Sequence, residues 1–165
     1  MSAIFDALGE LHPVIVHWPV ALISTAAVAE AIYMAKKVEW FADAARFMIS
    51  AGAWMTVPTA AAGFAAAWGE TFTGDAARNF SIHWVGGVTV AVLAFLAWAM
   101  GEGSRRTGQV WEQALYRVLL FLTAAGVLIT GWFGGGIDLD RGGEGSAAAA
   151  AVAEFGLTII TAVWY

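Results

Sequence analysis

The chain has 165 residues, of which 60% are hydrophobic and 13% charged, with a formal net charge of −5 and no cysteine. A soluble domain carries about 25% charged residues, so this composition points to an integral membrane protein, with length for four or five spans of about 20 residues and little else. The missing cysteines exclude disulfides, thiolate metal sites, Cys-ligated iron–sulfur clusters and covalent haem attachment, and an acidic chain without a basic aromatic patch gives no support to nucleic-acid binding.

In chain order, the opening MSAIFDALGELHP carries Asp6 and Glu10 but neither Lys nor Arg. It lacks the positive n-region of a cleavable signal peptide, so the first span is expected to be retained. Apolar stretches over about 13–35, 41–68, 81–100 and 111–133 are each long enough to cross a bilayer. The expected fold is all-α, a polytopic transmembrane helix bundle of four spans within a domain covering residues 1–145. Residues 146–165 form a further hydrophobic helix, either a fifth span or an interfacial one, since Glu154 and Gly156 interrupt it. No internal repeat is legible beyond the alternation of spans.

Tryptophans mark the span ends. Trp40, Trp98 and Trp111 lie at one set of ends, Trp18, Trp68, Trp84 and Trp132 at the other, as interfacial belts require. Lys36, Lys37, Arg46, Arg105, Arg106 and Arg117 fall in or beside the first and third connections, and only Arg78 and Arg141 lie opposite. The positive-inside rule therefore predicts a multi-pass protein of the bacterial inner membrane with its N-terminus on the periplasmic side.

That topology brings His12, His17 and His83 to one level at the outer face. Pro13 suits a first helical position and Pro19 removes a backbone donor, so residues 11–19 form an interfacial turn or a kinked helix. His12 and His17 stand about 140° apart around an ideal helix, so one is expected to face inward and the other to meet the interface. Gly86 and Gly87 share the helical face of His83 and leave a groove beneath its imidazole, which either accepts a flat macrocycle or packs against a neighbouring helix. Gly63, Gly126 and Gly131 extend the same pattern. Hydrogen bonding to headgroups or backbone is the simpler role for any one interfacial histidine, but three at one depth on two spans favour cofactor ligation. Imidazoles with glycines and a tryptophan ring favour a b-type haem over a bare ion, with His83 and His17, or else His12, as the metal ligands.

Other polar residues read more plainly. Glu30, deep in span one, is costly unless paired, and Lys37 at i+7 is its expected partner. Pro58 should free the carbonyl of Trp54, with Thr56 or Thr59 to compensate. Met48 and Met55 read as packing residues, and Asp138 and Asp140 as a solvated turn. No hydrolase or nucleotide-binding motif occurs.

LHPVIVHWPVALI at the first span, SIHWVGG at the third and TGWFGGGIDLDRGG after the fourth resemble domain-of-unknown-function family 2231 over about residues 8–145. That family comprises predicted four-span bacterial membrane proteins, some joined to cytochrome-like domains. The resemblance implies a haem-linked or electron-transfer role, with His12, His17 and His83 at the family's histidine positions. Relatives often carry a further histidine where this chain has Trp132, which implies at most one haem here.

The leading expectation is a membrane electron-transfer protein with one b-type haem near the periplasmic face. Its partners would be a quinone, a periplasmic carrier or other membrane subunits, and any catalytic part would be that of a redox subunit. The alternative is a non-catalytic subunit of a larger respiratory or photosynthetic complex, with a single His-ligated chlorophyll-type pigment or none.

Overall fold

The computed structural model describes residues 3–139, all of them in helices or short connections. Two short helices, α1 (Ala3–Glu10) and α2 (His12–Ile15), lead into α3 (His17–Lys36), followed by α4 (Glu39–Ala67), α5 (Gly74–Thr107) and α6 (Val110–Leu139). Four stretches are long and apolar enough to cross a membrane: His12–Lys36, Glu39–Ala67, Gly74–Thr107 and Val110–Ile137. Over the described residues the protein is thus an all-helical bundle with four membrane-spanning helices. The expected C-terminal hydrophobic helix lies outside the described residues.

Local chemistry explains the breaks. Pro13 and Pro19 cannot donate to the carbonyls of Gly9 and Ile15, four residues back, and the helical path is interrupted at Leu11 and Val16. Both joints keep right-handed helical dihedrals, so the entry segment is one nearly continuous helix with two irregular joints. α3 stops at Lys37 (φ 57°) and α5 at Gly108 (φ 69°), left-handed caps that donate to the carbonyls of Tyr33 and Ser104. Pro58 sits on the lipid-facing side inside α4, which continues through it. Thr56 and Thr59 donate to the carbonyls of Ala53 and Met55, not to that of Trp54.

The packing is that of a membrane protein. The core is built largely from small residues, among them Ala26, Ala53, Ala94 and Ala97 around Ile23, Ile49, Tyr116 and Leu120, because small side chains let helices approach where no hydrophobic effect drives them together. Gly52 permits one such approach: a Cβ there would lie 2.8 Å from Ile23 Cγ1. Large apolar side chains point outward instead, including Phe47, Leu128 and the end-marking Trp18, Trp40, Trp68, Trp84, Trp111 and Trp132.

The two halves of the bundle are repeats, which corrects the expectation of none. The segment 3–36 and α5 begin and end 71 residues apart (Ala3 and Gly74, Lys36 and Thr107), and α4 and α6 begin 71 residues apart (Glu39 and Val110). The left-handed caps Lys37 and Gly108 obey the same offset. So do buried positions: Pro19 and Val90, Ile23 and Ala94, Ala26 and Ala97, Ala45 and Tyr116, Ile49 and Leu120. α3–α4 and α5–α6 are therefore equivalent hairpins. Their cross-contacts, α3 with α6 and α5 with α4, are reciprocal, as a pseudo-two-fold axis along the bundle requires.

Candidate functional site: a histidine pair on the pseudo-two-fold

His12 and His83 are equivalent residues of the two repeats, and their rings meet across the pseudo-axis, with centroids 6.3 Å apart and planes at 82°. Each is held in the same way. His12 Nδ1 lies 3.1 Å from the Thr59 carbonyl on α4, and His83 Nδ1 lies 2.9 Å from the Thr130 carbonyl on α6. A carbonyl only accepts, so Nδ1 carries a hydrogen in both rings; in the neutral form of each ring the lone pair would be on Nε2.

One turn beyond each threonine stands a glycine that makes room for the ring. A Cβ at Gly63 would lie 2.9 Å from His12 Cε1, and one at Gly134 would lie 2.7 Å from His83 Cε1. Thr59-x-x-x-Gly63 and Thr130-x-x-x-Gly134 are thus two copies of one seat: a carbonyl to hold the imidazole and a bare backbone one turn on, on the same helical face.

His17 is not part of this pair. Its repeat equivalent is Val88, both are exposed, and its Nδ1 donates to the Pro13 carbonyl one turn back, at 2.6 Å. The rotation of about 140° between His12 and His17 separates them as expected, and the ring facing His83 is that of His12. Gly86 serves close packing: a Cβ there would come within 2.6 Å of Thr130 Oγ1, so this glycine brings α5 against α6 at the level where His83 meets the Thr130 carbonyl. Among the described residues, a Cβ at Gly87 or Gly131 would meet nothing within 4 Å, whereas one at Gly126 would lie 2.9 Å from Val90 Cγ2.

About 27 Å along the bundle, 18 residues at 1.5 Å each, lies a second polar centre. Glu30 is fully buried, and Arg117 Nε donates to its Oε1 at 2.7 Å. Tyr116 Oη and Gln113 Nε2 also reach its carboxylate, each at 3.4 Å. Gln113 Oε1 in turn accepts from Arg46 Nη2 at 2.8 Å and from Ser104 Oγ at 3.0 Å. The expected partner Lys37 instead lies over the Tyr33 ring, 5.8 Å from its centre. Glu30 is satisfied across the bundle, not along its own helix, because its face of α3 packs on α6.

Sequence reading therefore missed Thr59, Thr130, Gly134, Arg46, Gln113, Tyr116 and Arg117 as site residues. A signal for five of the positions existed: histidine, tryptophan, arginine, threonine and glycine each recur at the 71-residue offset (His12/83, Trp40/111, Arg46/117, Thr59/130, Gly63/134). Among the described residues, no three His, Cys, Asp or Glu side chains converge as a metal site.

Helices, lipid-facing surface and small-residue core together define a polytopic helical membrane protein. The chain belongs to the DUF2231 family of predicted membrane proteins, whose model matches residues 9–146. No curated protein and no solved structure matches it.

Proposed function

We propose that the protein transfers electrons in the membrane and holds one b-type haem between His12 and His83, near the periplasmic face of the bacterial inner membrane. The observation that carries this reading is the pairing of two equivalent imidazoles, each tethered through Nδ1 to a backbone carbonyl, at the pseudo-two-fold axis.

The pair fits the group in spacing and in ligand number. Two imidazoles whose ring centres stand 6.3 Å apart would be close enough to hold one metal between them through nitrogens at about 2.0–2.1 Å. A bare ion such as zinc usually needs three or four protein ligands, whereas a haem would need only the two that His12 and His83 could supply. A single-ligand pigment of the chlorophyll type would leave the second imidazole without a role.

A haem bound there supplies one-electron redox chemistry. The chain's own residues set its surroundings: the Thr59 and Thr130 carbonyls fix tautomer and ring orientation, which raises ligand basicity, and Gly63 and Gly134 give the imidazoles room. The basic residues Lys36, Lys37, Arg105 and Arg106 cluster at the far ends of α3 and α5, which supports placing the histidine end outside. A quinol, a periplasmic carrier or a neighbouring membrane subunit would exchange electrons there.

The test is the visible spectrum of protein purified in mild detergent, oxidised and dithionite-reduced, for the wild type and for His12→Ala, His83→Ala and His17→Ala. Sharp reduced bands that vanish in the first two variants and persist in the third are expected. A folded, colourless wild type after expression with ample haem would overturn the proposal.

A further inference from the structure

The two repeats present the same stretch of helix to lipid with different chemistry. On α3, a groove of about 330 Å³ is lined by His17, Trp18, Ala21, Leu22 and Thr25. The equivalents on α5, 71 residues on, are Val88, Thr89, Val92, Leu93 and Leu96. Exposure is alike in the two sets, with only Leu22 and Leu93 partly covered. Where α5 carries an aliphatic ridge, α3 has alanine and threonine in place of Val92 and Leu96, with an imidazole and an indole at the outer end of the hollow.

His17 lies five residues inside the span that begins at His12, about 7.5 Å deeper. Ionisable side chains within spans almost always face the bundle interior, yet this ring is exposed. Its Nδ1 donates to the Pro13 carbonyl, so in the neutral ring the lone pair is on Nε2, which has no hydrogen-bond partner among the described residues. A polar group left unpaired in hydrocarbon is costly. Thr25 is already satisfied by the Ala21 carbonyl, so Nε2 and the indole N–H of exposed Trp18 are the side-chain groups left to meet a ligand.

We propose that this groove binds the ring of a membrane quinol. The occupant has to come from the bilayer and has to offer hydrogen bonds at hydrocarbon depth. Acyl chains offer none, and a phospholipid headgroup would have to sink below the interface to reach Nε2. A quinol has a hydroxyl to donate to Nε2, a flat ring for a hollow two helical turns long, and an isoprenoid tail that stays in lipid. Small-molecule sites begin at about 300 Å³ and combine an apolar lining with a few placed polar groups. The site would name the electron partner of the proposed function, since His17 is tethered to Pro13, the neighbour of His12. Binding itself rests on the groove and needs no haem.

The experiment is nitrogen NMR of the purified protein with ¹⁵N-labelled histidine, in mild detergent under anaerobic conditions. The His17 resonances are assigned by their absence in His17→Val. The probes are ubiquinol-1 and menaquinol-1, with dihexanoyl phosphatidylglycerol as the headgroup control. At least one quinol should move the His17 Nε2 resonance saturably, while the lipid leaves it in place.

Ala21→Val combined with Thr25→Leu fills the groove with the residues that α5 carries at equally exposed positions, and should weaken binding at least about tenfold. Each change is also made singly, so that a variant remains if the double does not fold. No saturable shift with either quinol, an equal affinity in the filled variants, or an equal response to the lipid overturns the proposal. So does a His17 resonance that follows protein concentration instead, which would place a second copy of the chain on this face. Haem bands lost in the wild type would leave the quinol titration standing, and an unmoved His17 would leave the paired imidazoles standing.

Discussion

Arg117 Nε lies 2.7 Å from Glu30 Oε1, joining the second half of the chain to the first through a carboxylate that no solvent reaches. Breaking such a pair strands a buried charge and costs about 3–5 kcal/mol. Arg117→Gln and Glu30→Leu should each lower the Tm markedly. The double variant should be less destabilised than the sum of the two, because it leaves neither charge alone. Additive losses in the cycle would show that the contact contributes no coupling.

The glycine seats give a second expectation. Gly63→Ala and Gly134→Ala bring a methyl group within 2.9 and 2.7 Å of the Cε1 of His12 and His83, respectively, so the ring must shift against its tether to a carbonyl. Each should destabilise by about 1–3 kcal/mol and weaken or abolish haem retention. Gly103→Ala, whose Cβ would make only ordinary contact with Glu112, serves as the control and should be neutral or slightly stabilising, since alanine favours helix. Equal behaviour of all three would mean that the rings do not occupy those seats.

Thr59 and Thr130 hold the histidines through main-chain carbonyls, not through their hydroxyls. If the proposed haem is bound, Thr59→Ala and Thr130→Ala are expected to keep its reduced spectrum, and removing either imidazole is expected to abolish it. A spectrum lost in the threonine variants would relocate the critical contact to the side chain.

Pro58 has Ile129 as its repeat equivalent, and α6 presents the Thr130 carbonyl to His83 without any proline. Pro58→Ile should therefore leave the His12 seat intact. It should also raise Tm, by restoring a donor for the Trp54 carbonyl, with about 1–3 kcal/mol of stabilisation. Loss of the histidine site in this variant would mean that the proline shapes it.

Much of the architecture was legible in advance because the bilayer restricts the choices: backbone groups in hydrocarbon must be satisfied within a helix, so hydropathy reads out the spans. The four expected stretches fall within or close to the observed helices. The belt tryptophans are exposed, except Trp98, which is half-buried against the core inside α5. The level shared by the histidines followed from counting residues from those ends.

The repeat escaped notice for a related reason. Lipid-facing and core positions accept almost any apolar or small residue, so only nine positions between 12 and 67 keep the same residue 71 places on. Four of these pairs, His12/His83, Arg46/Arg117, Thr59/Thr130 and Gly63/Gly134, make specific hydrogen bonds or close approaches.

The sequence by itself determined the class of protein, the four long apolar stretches found among the described residues and the position of polar side chains along them, because these depend on transfer from water to lipid and on rise per residue. Only the tertiary structure decided which histidine faces His83, that Arg117 and not Lys37 answers Glu30, and that Arg46 Nε meets no acceptor among the described residues. Those outcomes depend on the rotation of each helix about its own axis. Packing between helices sets that rotation, and a chain whose surfaces are apolar all round does not encode it in its periodicity.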